Sequence, residues 1–143
     1  VTRVALIGCG AGASLAIAAG SASEAVTGVA AIAPDATALE FVADLAPRRL
    51  LLIHGAADTV TPADASRILY VHAGDPKELV ILPGGRHDLI HSREEALDKL
   101  TAWTRDLLRN PFKPRRELPD RMEAALMLAS RDSRRDLALP GVR

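Results

Sequence analysis

Runs of apolar residues alternate along the chain with segments in which apolar positions recur every three or four residues. Four short, mostly aliphatic runs predict buried strands, at residues 4–7, 29–33, 50–53 and 79–82. Continuous aliphatic runs of this length are typical of parallel strands that are covered on both faces.

The segments between these runs predict helices, at residues 11–19, 39–45 and 62–73. Pro62 would stand in a first helical turn, where proline is tolerated. A last helix would begin with a capping box between Ser92 and Glu95 and end near Asn110. Its apolar face would consist of Leu97, Leu100, Trp103 and Leu107.

This alternation predicts the α/β class, with a mostly parallel sheet of about four strands and helices on both faces. We expect residues 1–110 to form this domain. The composition changes over residues 111–143, where Pro111 to Pro119 predicts a linker and residues 120–130 predict one more helix before a flexible tail.

The chain starts at Val1, just before the first predicted strand and without an initiator Met, so we expect it to begin partway through a larger fold. The strand at 4–7 would then lack a neighbour on one side. An apolar strand edge of this kind favours pairing with another chain, so a homo-oligomer is one expected assembly.

Composition is that of a globular protein, with 48% apolar and 25% charged residues. The formal net charge is zero, which gives no electrostatic argument for binding nucleic acid or a membrane surface. The single cysteine, Cys9, excludes an intrachain disulfide. Because no signal-peptide pattern and no run of membrane-spanning length occur, we expect a cytoplasmic location.

Three loops follow predicted strand ends, where open α/β sheets place their sites. The first, GCGAG, leads directly from strand to helix in the manner of a nucleophile elbow and has Gly10 at its centre. In the second loop, Asp58 could orient an imidazole and stabilise its protonated form. In the third, His87 lies on a glycine-rich segment and could act as a general base. We expect the other histidines, His54, His72 and His91, to be structural or exposed to solvent.

Over roughly residues 1–108 the chain resembles the α/β-hydrolase superfamily. The resemblance rests on the strings VALIGCGAGASLAIAAG, VAAIAP, LLLIHGAADTVTP and LVILPGGRHDLI. It implies that Asp58 is the acid and His87 the base of a catalytic triad, in the family's order of nucleophile, acid and histidine. It also implies that Gly10 occupies the nucleophile position and that the backbone N–H of Ala11 forms half of an oxyanion hole. The family's first four strands are missing.

Gly10 has no side chain, so covalent acyl transfer through this position is impossible. Cys9 stands one residue too early, where it should face the sheet, and Ser14 lies one helical turn later. The expected function is therefore that of a protein descended from ester or acyl hydrolases and now inactive or impaired, a pseudoenzyme. Whether it is an enzyme stays open, because His87 could still activate a water molecule directly.

Two other functions are open at this point. One is a non-catalytic module that binds a small apolar ligand or another protein. The other is a dinucleotide-binding fragment, because residues 8–13 match G-x-G-x-x-[GA]. The acidic residue that this fingerprint needs about 20 positions later is matched only by Asp35, which follows a proline. We expect no cofactor and, from the Cys/His spacing, no metal. The expected partner is an ester-like substrate or an apolar ligand, not nucleic acid or a membrane.

Overall fold

The computed structural model describes residues 3–110, which contain a four-stranded sheet in the order β1-β2-β3-β4. The strands are β1 (Val4–Cys9), β2 (Val26–Ile32), β3 (Arg49–Gly55) and β4 (Lys77–Leu82). Each neighbouring pair is parallel, as the aliphatic runs predicted. The linker, helix and tail predicted for residues 111–143 lie outside the described residues.

Three helices connect the strands, namely α1 (Ala11–Ala22), the single turn α2 (Leu39–Val42) and α3 (Asp64–His72), and α4 (Arg93–Arg109) follows β4. Short 3₁₀ turns flank α2 at Ala36–Ala38 and Ala43–Leu45, and another precedes α4 at Ile90–Ser92. Within residues 3–110, none of the helices combines the length and the apolar character that crossing a bilayer requires.

Each face of the sheet has its own core, because alternate residues of a strand point to opposite faces. Leu50 and Leu52 of β3 belong to a cluster with α1, α2 and α3, which includes Ile17, Val42 and Leu69. Leu51 and Ile53 belong to a second cluster with α4, which includes Trp103 and Leu107. Helices therefore cover both faces, and the α/β class is confirmed.

Two strands start two or three residues earlier than their aliphatic runs. β2 begins at Val26, and Gly28 pairs with Ala5 on one side and Arg49 on the other although it carries no side chain. β4 begins at Lys77, whose charge is tolerated because β4 is at the edge of the described sheet. Backbone pairing thus extends the strands past the residues whose side chains are apolar.

Helix α4 begins at Arg93, close to the prediction, but the capping box is wrong. The Ser92 side chain makes no capping hydrogen bond, and the Ser92 N–H that Glu95 would accept in a capping box donates to the Leu89 carbonyl instead. The buried face differs from the predicted one at a single position, because Leu97 is 48% exposed and Ala96 is buried instead. The residues that pack on the sheet are Ala96, Leu100, Trp103 and Leu107.

Strand β1 forms the other edge of the described sheet. Within residues 3–110 only β2 pairs with it, and Ile7 is 52% exposed. The open apolar edge expected from the sequence is therefore present in this part of the chain.

We expect Leu107→Ala to lower the free energy of unfolding by about 2–5 kcal/mol, because it leaves a cavity against the sheet. The neighbouring change Leu108→Ala is the matched control. Leu108 is 73% exposed, so this variant should stay within about 0.5 kcal/mol of the parent. Urea denaturation of the three proteins measures the difference, and equal losses in both variants would contradict the packing described for α4.

Candidate active site

The turn between β1 and α1 has the backbone conformation expected of an elbow. Gly10 has φ +57° and ψ −128°, a backbone conformation that residues other than glycine adopt only under strain. Its N–H donates to the Ile32 carbonyl at 2.8 Å, which ties the turn to the tip of β2. No atom lies within 4 Å of the point where a Cβ on Gly10 would stand. The space above the turn can therefore accept a side chain.

Of the two glycines that flank the elbow, only the first is required by close approach. A Cβ on Gly8 would overlap the Gly12 carbonyl, whereas a Cβ on Gly12 would meet nothing within 4 Å. Cys9, expected to face the sheet, is instead exposed, because the strand that carries it is an edge strand.

The side chains of Ser14 and Asp35 are hydrogen-bonded to each other and do not point into the space above the elbow. The buried Ser14 hydroxyl donates to Asp35 Oδ1 at 2.9 Å. Asp35 also accepts hydrogen bonds from the hydroxyl and the backbone N–H of Thr37 and so caps the 3₁₀ turn that follows β2. The hydroxyl of Thr37, its N–H and the Ser14 hydroxyl together hold the pKa of Asp35 below its ordinary value.

Asp58 lies in the loop after β3 with its side chain buried. Its Oδ1 accepts the backbone N–H groups of Val60 at 2.9 Å and Thr61 at 2.8 Å. Its Oδ2 accepts a hydrogen bond from Nδ1 of His87 at 2.9 Å. Burial by itself raises the pKa of Asp58, but the Thr61 N–H, His87 and the Val60 N–H together outweigh it and leave that pKa below its ordinary value.

Two backbone hydrogen bonds fasten the loop that carries His87 to the loop that carries Asp58. The N–H of Ala56 donates to the Leu82 carbonyl at 2.9 Å, and the N–H of Ala57 donates to the Gly85 carbonyl at 2.8 Å. A Cβ on Gly55 would overlap the backbone of Gly85, so the loops meet at a distance that only glycine permits.

The structure thus joins two of the predicted site residues directly and places the others at the same edge of the sheet. Asp58 and His87 share a hydrogen bond, while Gly10 and Ala11 follow β1 at the same carboxyl edge of the sheet. Because neighbouring strands are about 4.8 Å apart, the tip of β1 is roughly 10 Å from that of β3. The His87 side chain is 39% exposed. Its Nδ1 faces the buried carboxylate, and within residues 3–110 no group forms a hydrogen bond with Nε2.

His54 also belongs to this site, although the sequence predicts only a structural or exposed residue at this position. It is fully buried at the end of β3, and its Nε2 is 3.3 Å from Asp58 Oδ2. A histidine at the end of the most apolar strand, four residues before the acid, was the available signal. Among residues 3–110 no three His, Cys, Asp or Glu side chains are grouped so that they could hold a metal ion.

Comparisons with known proteins agree with this architecture. A family model described as "Serine aminopeptidase, S33" matches residues 13–94, a span that includes Asp58 and His87 and begins after Gly10. The uncharacterized protein YfhR of Escherichia coli K12 is 47% identical over 47 residues, which are 33% of this chain and 16% of YfhR. The matched segment is therefore about one sixth of that relative's length.

Solved structures of esterases share the fold. The esterase domain of a Rhodothermus marinus protein superposes with a TM-score of 0.65 at 22% identity, over 71% of this chain and 59% of that one. Est1E from Butyrivibrio proteoclasticus gives a TM-score of 0.70 at 15% identity, over 76% and 63%. Identities this low establish the fold alone. Together with the family model, which matches more than half of the sequence, they show that the chain belongs to the S33 serine aminopeptidase family of α/β hydrolases.

Proposed function

We propose that this chain carries the acid–base pair and the backbone turn of an ester or acyl hydrolase, and that glycine at position 10 removes its covalent nucleophile. The 2.9 Å hydrogen bond between Asp58 Oδ2 and His87 Nδ1 carries the proposal. It joins an acid and an imidazole that are 29 residues apart, at the edge of the sheet where such folds place their chemistry.

In this proposal Asp58 holds His87 in the tautomer that carries its proton on Nδ1. Nε2 is then free to accept a proton from a nucleophile, and the Asp58 charge stabilises the imidazolium that forms. The backbone N–H of Ala11, at the start of α1, would donate to the oxygen that becomes negative during acyl transfer. Gly10 would stand where the attacking oxygen belongs.

Without that oxygen, the remaining groups can act only on water. His87 would take a proton from a water molecule that attacks the acyl carbon, and no covalent intermediate would form. Serine proteases that lack triad members retain a rate roughly 10³–10⁴-fold over water, so activated esters are the appropriate probes. The esterase names of the two similar structures support the choice of ester substrates.

We expect Gly10→Ser to generate hydrolysis of an activated phenyl ester. The open space above the elbow can hold a hydroxymethyl group, but the positive φ should lower the free energy of unfolding by about 1–3 kcal/mol. Burst kinetics and thermal melts measure the two effects. Equal or higher stability would contradict the strain argument, and a folded serine variant without turnover would contradict the proposed function.

The matched control is Gly12→Ser, the same substitution two residues later in helix α1. Position 12 also has room for a side chain but lacks the positive φ. This variant should keep the parent's stability within about 0.5 kcal/mol and show no new activity. In the Gly10→Ser protein, His87→Ala and Asp58→Asn should each remove the acquired turnover.

Acid should weaken the fold through Asp58. Because the pKa of this carboxyl group is lowered on folding, the unfolded chain binds more protons between the two pKa values, and stability rises with pH there. The contribution is complete above the pKa of an ordinary aspartic acid, about 3.9, and is lost as the pH falls through the lower folded-state value. Urea denaturation should therefore show the advantage of the parent over Asp58→Asn shrinking below about pH 4. An advantage that does not change with pH would contradict this account.

The exposed edge of β1 favours a second candidate function, that of an interaction module. We propose that a second copy of the chain pairs with this edge, because edge strands with unpaired backbone groups join readily. Gel filtration with light scattering should find dimers that Ile7→Lys dissociates and Val71→Lys, at a 73% exposed position on α3, leaves intact. A monomeric parent would contradict this candidate.

A further inference from the structure

We propose that His54 is a positioning residue for the Asp58–His87 pair. The inference rests on the proposed function and adds to it a buried second imidazole, which fixes the carboxylate that in turn orients His87. His54 Nε2 is 2.8 Å from the Thr61 carbonyl and 3.3 Å from Asp58 Oδ2, the oxygen that also receives His87.

The surroundings of His54 determine which of its nitrogens carries the proton. Nε2 faces a carbonyl oxygen and a carboxylate oxygen, which can only accept, so Nε2 must be protonated. Nδ1 is 2.7 Å from the Ser66 hydroxyl, which can donate to it. The fully buried Ser66 thereby fixes the ring so that the Nε2–H is directed at the loop of Asp58.

Thr61 couples this N–H to the opposite side of the carboxylate. Its carbonyl accepts the hydrogen bond from His54, and its own N–H donates to Asp58 Oδ1 at 2.8 Å. The His54 ring therefore constrains both oxygens, Oδ2 by proximity and Oδ1 through Thr61. Loss of the donor would free the loop and let the carboxylate turn away from His87.

The complete burial of His54 indicates that it positions Asp58 and does not act as a catalytic residue. His54 has no exposed surface and both of its ring nitrogens are engaged, so it cannot exchange protons with a substrate. It also connects three elements, because it lies at the end of β3, contacts Ser66 on α3 and contacts the loop between them. A ring held in this way can fix the position of Asp58 relative to the sheet.

Two amide variants test the two hydrogen bonds of the ring separately. In His54→Gln the amide nitrogen can reach the place of Nε2 and keep the donor toward Thr61 and Asp58. In His54→Asn the shorter amide reaches only the place of Nδ1, so contact with Ser66 is kept and the donor is lost. Both replacements are neutral and polar, which makes them a matched pair.

The first readout is the ring N–H proton of His87 in the NMR spectrum of the full chain. We expect its downfield resonance and slow exchange with water to persist in His54→Gln and to be lost in His54→Asn. His72→Asn, at an exposed position on α3, is the control that should change neither. Equal His87 resonances in the Gln and Asn variants would overturn the proposal.

The second readout is turnover in the Gly10→Ser background. His54→Asn should lower kcat roughly tenfold with KM unchanged, the loss expected for a hydrogen bond that supports a charged group, while His54→Gln should stay within about threefold. If Gly10→Ser has no activity, the proposed function fails, and the NMR comparison still decides the role of His54. Equal kcat values in an active background would overturn the inference.

If His54→Asn does not fold, Ser66→Ala tests the same arrangement. Removal of the hydroxyl deprives Nδ1 of its donor but leaves the acceptors of Nε2 in place. The ring then loses the contact that anchors it to α3, so the ring N–H resonance of His87 should shift and its exchange with water should become faster. A His87 resonance that stays unchanged without Ser66 would overturn the proposal.

Discussion

The Asp58 carboxylate is buried at the tip of β3, and a charge in that position is costly unless donors surround it. The backbone supplies two of them from the loop that Asp58 itself begins, and His87 supplies a third from the next loop. The geometry of the site depends on these three hydrogen bonds to the Asp58 carboxylate. Without the third donor the two loops would share only backbone contacts, and without the first two the carboxylate would have no fixed direction.

The same requirement explains why the loops meet so closely. Backbone hydrogen bonds run from Ala56 to the last residue of β4 and from Ala57 to the loop after it, and Gly55 allows the backbones of the two loops to touch. Leu89 closes the second loop with φ +53° while its side chain is buried in the core beneath α4. Strain at Leu89 is therefore offset by burial, and the histidine two positions earlier is held over the carboxylate.

The elbow presents the opposite case, a turn whose backbone conformation would strain most residues but which is occupied by glycine. Gly10 adopts its φ with little strain, whereas a catalytic side chain there would have to be held by its surroundings. The backbone of α1 and the space above the turn are nevertheless present. In the proposed function the chain therefore keeps the acid, the imidazole and the backbone turn, while glycine at position 10 removes the covalent step.

The sequence alone determined the four strands and the pairing of Asp58 with His87. The aliphatic runs predicted four parallel strands, because a strand covered on both faces needs apolar side chains in every position, and the loops after them predicted Asp58 and His87 as neighbours. Single residues could not reveal the contacts made across the fold. Whether Leu97 or Ala96 faces the sheet depends on how α4 packs, and the Ser92 cap is displaced by a turn that the preceding loop imposes. The role of His54 is decided by Thr61 and Ser66, which approach it only after β3, its loop and α3 have packed together.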